Sequence, residues 1–393
     1  MQETFAVDYK RGISNLGNPN RILHVMARAM RGETLRIGFI GGSITQGSLS
    51  SAPDTCYAYL VYQWWCKTFP KAEFTYINAG IGGTTSQFGV ARVEEDLLAK
   101  KPDFVIVEFS VNDESTEHFM ETYEGLVRRI LSAPGKPAVM LVHNVYYHNG
   151  ANAQLMHGRI ARHYDLPAVS MQSTIYPEVV AGRIENRKIT PDDLHPNDEG
   201  HALVASVIAY FLRQMYEQEV FAEGVVQQDR KESLDTPLPL PLTRNAYERS
   251  VRYCNNNSTP ILQGFVEDKI PQTDITDCFR NGWTASKTGD KITFQVEGSC
   301  IAVQYRKSVQ KPAPVAEVIV DGNKKGSVRL DANFDETWGD KLELTTILEH
   351  SDKQMHEVRI HIVETHEDDA VPFYLASVIS SCEDCSKEAV GMR

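Results

Sequence analysis

Four groups of residues in this chain have types and spacing suited to acyl transfer. The first is Gly41-Gly42-Ser43-Ile44-Thr45, where a short apolar strand breaks into a glycine pair and then a helix-compatible stretch. The break leaves a serine hydroxyl at the carboxyl end of a strand, beside backbone N–H groups that no carbonyl faces. Such a serine can be a nucleophile, although helix N-cap is the commoner role. The second is Pro191-Asp192-Asp193-Leu194-His195-Pro196-Asn197. Here Asp192, in a turn just ahead of His195, can hold the ring Nδ1–H and leave Nε2 to accept a proton. The same residues can be a capped helix start with a surface histidine. A metal set of Asp192, His195 and His201 lacks a further ligand at good spacing.

The other two groups are Asn78-Ala79-Gly80-Ile81-Gly82-Gly83-Thr84-Thr85 and Ser110-Val111-Asn112-Asp113. Glycines this dense let a backbone N–H approach a ligand, or simply make a tight strand-to-helix turn. The Asn112 amide can donate to a developing oxyanion, or make an Asx turn after a strand.

The elements that must position these groups alternate. Leu35–Ile40, Glu73–Asn78, Asp103–Phe109, Ala138–His143 and Leu166–Met171 read as strands. Between and after them, Tyr57–Phe69, Val90–Lys100, Tyr123–Leu131, Gln154–Tyr164 and His201–Glu217 read as helices. Asn20–Met30 is a further short helix, within a first 34 residues that have no clear period. Apolar strands separated by helices imply a parallel sheet covered on both faces, with ligands beyond the carboxyl ends of its strands. Each of the four groups falls at such an end or just before the last helix, and their joint appearance in order is hard to explain blandly.

With 393 residues the chain exceeds one ordinary core. The pattern changes near residue 225, and Thr236-Pro237-Leu238-Pro239-Leu240-Pro241 reads as a semi-rigid linker. We therefore expect a catalytic domain over 1–225, a linker over 226–245 and a second domain over 246–393. The second shows short alternating runs: Lys291–Val296, Cys300–Tyr305, Val315–Val320 before Asp321-Gly322, Val358–Val363 and Phe373–Ile379. This is the pattern of an all-β sandwich or jelly roll.

The net charge of −12, without a long single-sign block, argues against nucleic-acid or anionic-membrane partners. No stretch has the apolar length of a membrane span, and residues 1–36 lack the apolar core of a signal peptide, so we expect a cytoplasmic protein as numbered. Seven scattered cysteines do not form a disulfide framework, and Cys382 and Cys385 read as ordinary thiols.

Taken together, Gly41 to Thr45, Asn78 to Gly83, Ser110 to Asp113 and Asp192 to His195 resemble the four blocks of the SGNH (GDSL-like) hydrolase superfamily, over roughly residues 35–215. The resemblance implies a flavodoxin-like α/β/α fold with a parallel five-stranded sheet. It implies Ser43 as nucleophile, His195 as general base and Asp192 as its orienter. It also implies an oxyanion hole from the Ser43 N–H, the Gly83 N–H and the Asn112 side chain, with Gly82 as the alternative to Gly83, and no metal or organic cofactor. Two positions depart from the family pattern: Gly42 stands where Asp is usual, and Ser110 where Gly is usual. The G-x-S-x-G elbow of α/β-hydrolases is excluded because Thr45 occupies its last glycine, and no dinucleotide fingerprint is present.

With an appended β domain, the chain resembles bacterial carbohydrate acetylesterases, including those acting on acetylated mannan. The substrate this implies is an acetylated plant-type oligosaccharide, acetylated manno-oligosaccharides favoured, deacetylated through an acetyl-enzyme intermediate. Acetylxylan, lipase or thioesterase activity, and a non-catalytic glycan-binding protein, are the alternatives. The β domain is similar to a carbohydrate-binding module, with Trp283, Trp338 and Tyr374 as candidate sugar-stacking residues or core aromatics. It can equally be a structural unit or one that forms a homo-oligomer.

Overall fold

The computed structural model describes residues 5–221 and 237–383, so Cys385 and the first part of the expected linker lie outside the described residues. The chain divides into two compact units, Met1–Thr243 and Arg244–Arg393.

The first unit is built on strands β1 (Ile13–Asn15), β2 (Thr34–Gly41), β3 (Glu73–Gly80), β4 (Phe104–Glu108), β5 (Ala138–His143) and β6 (Ala168–Ser170). Their order is β1-β6-β5-β4-β2-β3. The five strands β2 to β6 run parallel, and β1 adds an antiparallel edge against β6. The expected five-stranded parallel sheet is thus present, with an extra edge strand that is too short to show a period. Asn15 fixes that edge by donating its Nδ2–H to the Leu166 carbonyl (2.8 Å).

Helices α1 (Asn20–Met30), α2 (Ser43–Gln46), α3 (Tyr57–Thr68), α4 (Ser86–Asp96), α5 (Glu117–Leu131), α6 (Gln154–His163), α7 (Ile175–Val180), α8 (Asn186–Ile189) and α9 (Asp198–Phe221) complete the unit. β4 and β5 are buried along their whole length, as continuous apolar runs covered on both faces should be. One core joins α1, α3 and α9 to the sheet, and Trp64 and Trp65 are part of it. Residues 239–243 are held by this unit. Arg128 donates to the Pro239 carbonyl (2.9 Å), and His163 Nε2 lies 2.7 Å from that of Leu240. The buried Glu124 carboxylate accepts the N–H groups of Leu242 (2.6 Å) and Thr243 (2.8 Å), the Thr243 hydroxyl and the Tyr164 hydroxyl (2.5 Å).

The second unit is antiparallel throughout its named strands. These are β7 (Val251–Tyr253), β8 (Ile261–Gln263), β9 (Val266–Glu267), β10 (Trp283–Ala285), β11 (Lys291–Gly298), β12 (Cys300–Lys307), β13 (Val315–Val320), β14 (Val328–Asp331), β15 (Lys341–Leu348), β16 (Gln354–Glu364) and β17 (Phe373–Ser381). One sheet runs β15-β12-β17-β10-β9, with β7 also paired to β17; the other runs β14-β13-β16-β11-β8. Alternation sets the register: β11 buries Ile292, Phe294 and Val296 and turns Lys291, Gln295 and Glu297 outward. At Asp321-Gly322 both residues have positive φ (50° and 69°), a tight turn closed by the Asn323 N–H on the Val320 carbonyl (2.9 Å), which opens the link 321–327 from β13 to its antiparallel neighbour β14.

Of the two readings of its aromatics, the sandwich favours the core for Trp283 and Tyr374. Trp283 is fully buried, edge-on to Phe294 across the two sheets (centroids 5.2 Å), and so is a core residue. Tyr374 is buried too, its hydroxyl donating to Asp268 (2.8 Å). Neither ring offers a face to a sugar. Trp338 is 60% exposed and stands edge-on to Phe334 at 5.2 Å.

Candidate active site

The serine turn begins where β2 ends. Gly41 lies in register with Gly80 of β3 and Glu108 of β4, and α2 starts two residues later. Ser43 is the first residue of α2, so its N–H has no carbonyl within the helix. The helix is a single turn, closed by Gly47 in the left-handed region (φ 104°), whose N–H returns to the Ser43 carbonyl (3.0 Å).

Ser43 is nearly buried, and its Oγ lies 2.8 Å from His195 Nε2. His195 Nδ1 lies 2.6 Å from Asp192 Oδ2. The other Asp192 oxygen accepts the N–H groups of His195 (2.7 Å) and Leu194 (3.1 Å). With Nδ1–H donated to the carboxylate, Nε2 presents its lone pair to the serine hydroxyl. Partial burial pushes the Asp192 carboxyl up, but the His195 ring and the two backbone donors outweigh it and hold the group below its ordinary range. The carboxylate therefore stays ionised beside the ring.

Neighbouring residues fix this loop. Asp193 has φ 69° and is gripped by Asn186 and by Arg187 (2.7 Å), while its carbonyl accepts the Tyr147 N–H (2.7 Å). The hydrogen bonds of His201 go elsewhere than Asp192 and His195. Its Nδ1 accepts the Tyr57 N–H (3.2 Å), and burial pulls the ring down to about 4.

The two glycines after β3 separate by what their N–H groups do. Gly82 adjoins Ser43, but its N–H is already given to Gln46 Oε1 at 2.6 Å. The Gly83 N–H has no partner among the described residues, and φ 67° turns the backbone there in a way that favours glycine. Of the pair, Gly83 holds the free donor.

Asn112 reaches the serine turn through Gly42. Its Oδ1 is buried without a donor among the described residues, which leaves Nδ2 as the end available to a ligand. A Cβ added to Gly42 would overlap that Oδ1 and lie 2.7 Å from Cγ. A side chain at position 42 would therefore have to displace the Asn112 amide from this placement.

Other residues supply the hydrogen bonds that hold the turn. Asn78 Nδ2 donates to the Thr45 carbonyl (2.8 Å), and the Thr45 hydroxyl pairs with that of Tyr57 (2.8 Å). The second departure has a partner as well, since the Ser110 hydroxyl donates to the Asn144 carbonyl (3.1 Å) and contacts Glu108 (3.3 Å). Glu108 is fully buried at the end of β4. Desolvation pushes its carboxyl up to about 7, against the hydrogen bonds of Asn144 and Ser110. Thr45 stands in the first block, but nothing local in the sequence marks its role or that of Gln46; for Glu108 the signal is a glutamate inside the apolar run Asp103–Phe109.

Ser43, His195 and Asp192 thus form one hydrogen-bonded chain at strand ends, beside the Gly83 and Asn112 donors. Fold and site together define a serine hydrolase built on a flavodoxin-like sheet. The model of the GDSL-like Lipase/Acylhydrolase family matches residues 39–203. A crystal structure of a two-domain esterase active on acetylated mannans, co-crystallised with mannopentaose, is 66% identical with a TM-score of 0.91, over 97% of this chain and 99% of that one. Two curated relatives are 26% identical. Thioesterase 1/protease 1/lysophospholipase L1 of Escherichia coli (strain K12) aligns over 48% of this chain and 87% of its own length. The acetylxylan esterase of Geobacillus stearothermophilus aligns over 45% and 92%. The chain belongs to the GDSL-like hydrolase family.

Proposed function

We propose that this protein is a serine esterase that removes O-acetyl groups from acetylated oligosaccharides, manno-oligosaccharides foremost. The observation that carries the reaction type is the 2.8 Å contact from Ser43 Oγ to His195 Nε2, with Asp192 on the other ring nitrogen. The likeness along the whole chain to an esterase active on acetylated mannans supports the substrate class.

Ser43 Oγ attacks the acetyl carbonyl as its proton passes to His195 Nε2, and the imidazolium is balanced by Asp192. Negative charge on the carbonyl oxygen meets the N–H groups of Ser43 and Gly83 and the Asn112 amide. As the tetrahedral intermediate collapses, His195 gives its proton to the departing sugar oxygen. Water, deprotonated by the same ring, then releases acetate from Ser43. In the second unit, the exposed Trp338 presents an aromatic face suited to stacking on a sugar ring.

Mass loss from acetylated mannan, xylan and galactan oligosaccharides, followed with wild type and Ser43→Ala, tests the reading. Acetyl loss fastest from mannan, and absent in the variant, is expected. Full activity of Ser43→Ala overturns the mechanism, and a preference for xylan overturns the substrate assignment.

A further inference from the structure

A buried pair that takes no part in proton transfer lies directly behind the oxyanion donors. Asp113 follows Asn112, and both of their N–H groups bond to the Phe109 carbonyl (2.9 and 3.0 Å), which makes one tight turn after β4. The Asp113 side chain is inaccessible. Its Oδ1 accepts the N–H of Ser86, first residue of α4 and just beyond the Gly83 turn, at 2.9 Å. Its Oδ2 lies 3.0 Å from Nε2 of His157 on α6, whose side chain is equally inaccessible. The His157 ring is stacked on Tyr123 of α5 (centroids 3.6 Å, planes 5° apart), so it has little freedom to turn. The start of α6 is tied to the same turn, because the Ala153 N–H donates to the Ser110 carbonyl at 2.7 Å.

One carboxylate thus joins three pieces of chain: the turn bearing Asn112, the helix entered from the Gly83 turn, and α6. A buried carboxylate is costly unless its oxygens are met, and here Ser86 and His157 each meet one. The two donors sit on separate loops, and catalysis by such donors demands fixed geometry. We infer that Asp113 and His157 are positioning residues that hold the Asn112 and Gly83 donors in mutual register during turnover. This rests on the reading of those two groups as the oxyanion site.

The test uses the full chain and p-nitrophenyl acetate. Asp113→Asn and His157→Leu are each expected to lower kcat by ~10–100-fold with KM within about twofold. His157→Gln, whose amide can still donate to Asp113, is expected to restore most of kcat.

The deciding measurement is a double-mutant cycle with Asn112→Ala, itself expected to lose ~10²–10³-fold in kcat. With that donor gone, adding Asp113→Asn or His157→Leu should cost less than about threefold more. A purely structural role would multiply the two losses, and that result overturns the inference, as does unchanged kcat in the folded single variants. Should Asp113→Asn be insoluble, the His157 variants carry the same cycle. Full activity of Asn112→Ala would instead remove the oxyanion assignment itself, and the positioning role with it.

Discussion

The strand ends of the first unit and the core of the second use buried side chains in opposite ways. In the first, the ends of the strands collect polar groups: Glu108, Asp113, His157, Ser110 and Thr45 are all buried, and each meets a hydrogen-bonding partner. In the second, the sheets close over aromatic and branched apolar side chains, with Trp283 and Phe294 at the centre. Apolar packing stabilises without fixing direction, whereas a buried polar network orients its members at a risk to stability. The first arrangement serves a reaction centre, and the second gives a scaffold that can display an exposed residue such as Trp338.

Substitutions can sharpen or break that contrast. The largest effect is expected at the reaction centre: Ser43→Ala should lower acetate release by at least ~10⁴-fold with melting unchanged, read from p-nitrophenyl acetate turnover and thermal unfolding. In the sandwich core, Trp283→Ala should destabilise the second unit by about 3–5 kcal/mol in urea titration, with little change in esterase turnover while it stays folded.

Glu108 gives the contrast a pH axis. Its folded carboxyl is raised to about 7. The stability it contributes is therefore complete below the ordinary carboxylate range and is lost as pH rises through about 7. Relative to Glu108→Gln, the wild type should lose about 3 kcal/mol between pH 4.5 and 7 and little beyond. A flat difference across that window would show that the carboxyl is not so raised. The smallest effect is expected at Trp338→Ala. It should leave melting unchanged and raise KM for acetylated oligosaccharide several-fold, about 1 kcal/mol, without affecting p-nitrophenyl acetate.

Legibility in the sequence followed the range of the interaction. Asp103–Phe109 and Ala138–His143 declare strands by local composition, and Asp192 lies close enough to His195 for spacing to suggest a pair. The edge strand Ile13–Asn15 spans three residues, too few for a period. Helices Ile175–Val180 and Asn186–Ile189 are too short to show an apolar stripe. The burial of Trp283 depends on which way a strand faces, and three-residue β10 gives no alternation to settle it, whereas Tyr374 lies on β17, which is buried along its whole length. The contact between Gly42 and Asn112, and the pairing of Asp113 with His157, join residues far apart in the chain. No spacing rule reaches that far. Composition likewise marks a linker over 226–245, whereas contacts divide the chain after Thr243.

That last difference has a practical side. Four donors converge on Glu124, and three of them come from Leu242 and Thr243. A gene fragment ending at the change in composition near residue 225 would leave this carboxylate, among the described residues, with the Tyr164 hydroxyl alone. The stretch that reads as a spacer acts, over its last residues, as a latch belonging to the hydrolase unit. Domain-swapping or fusion designs should therefore be spliced after Thr243, so that the latch travels with the enzyme.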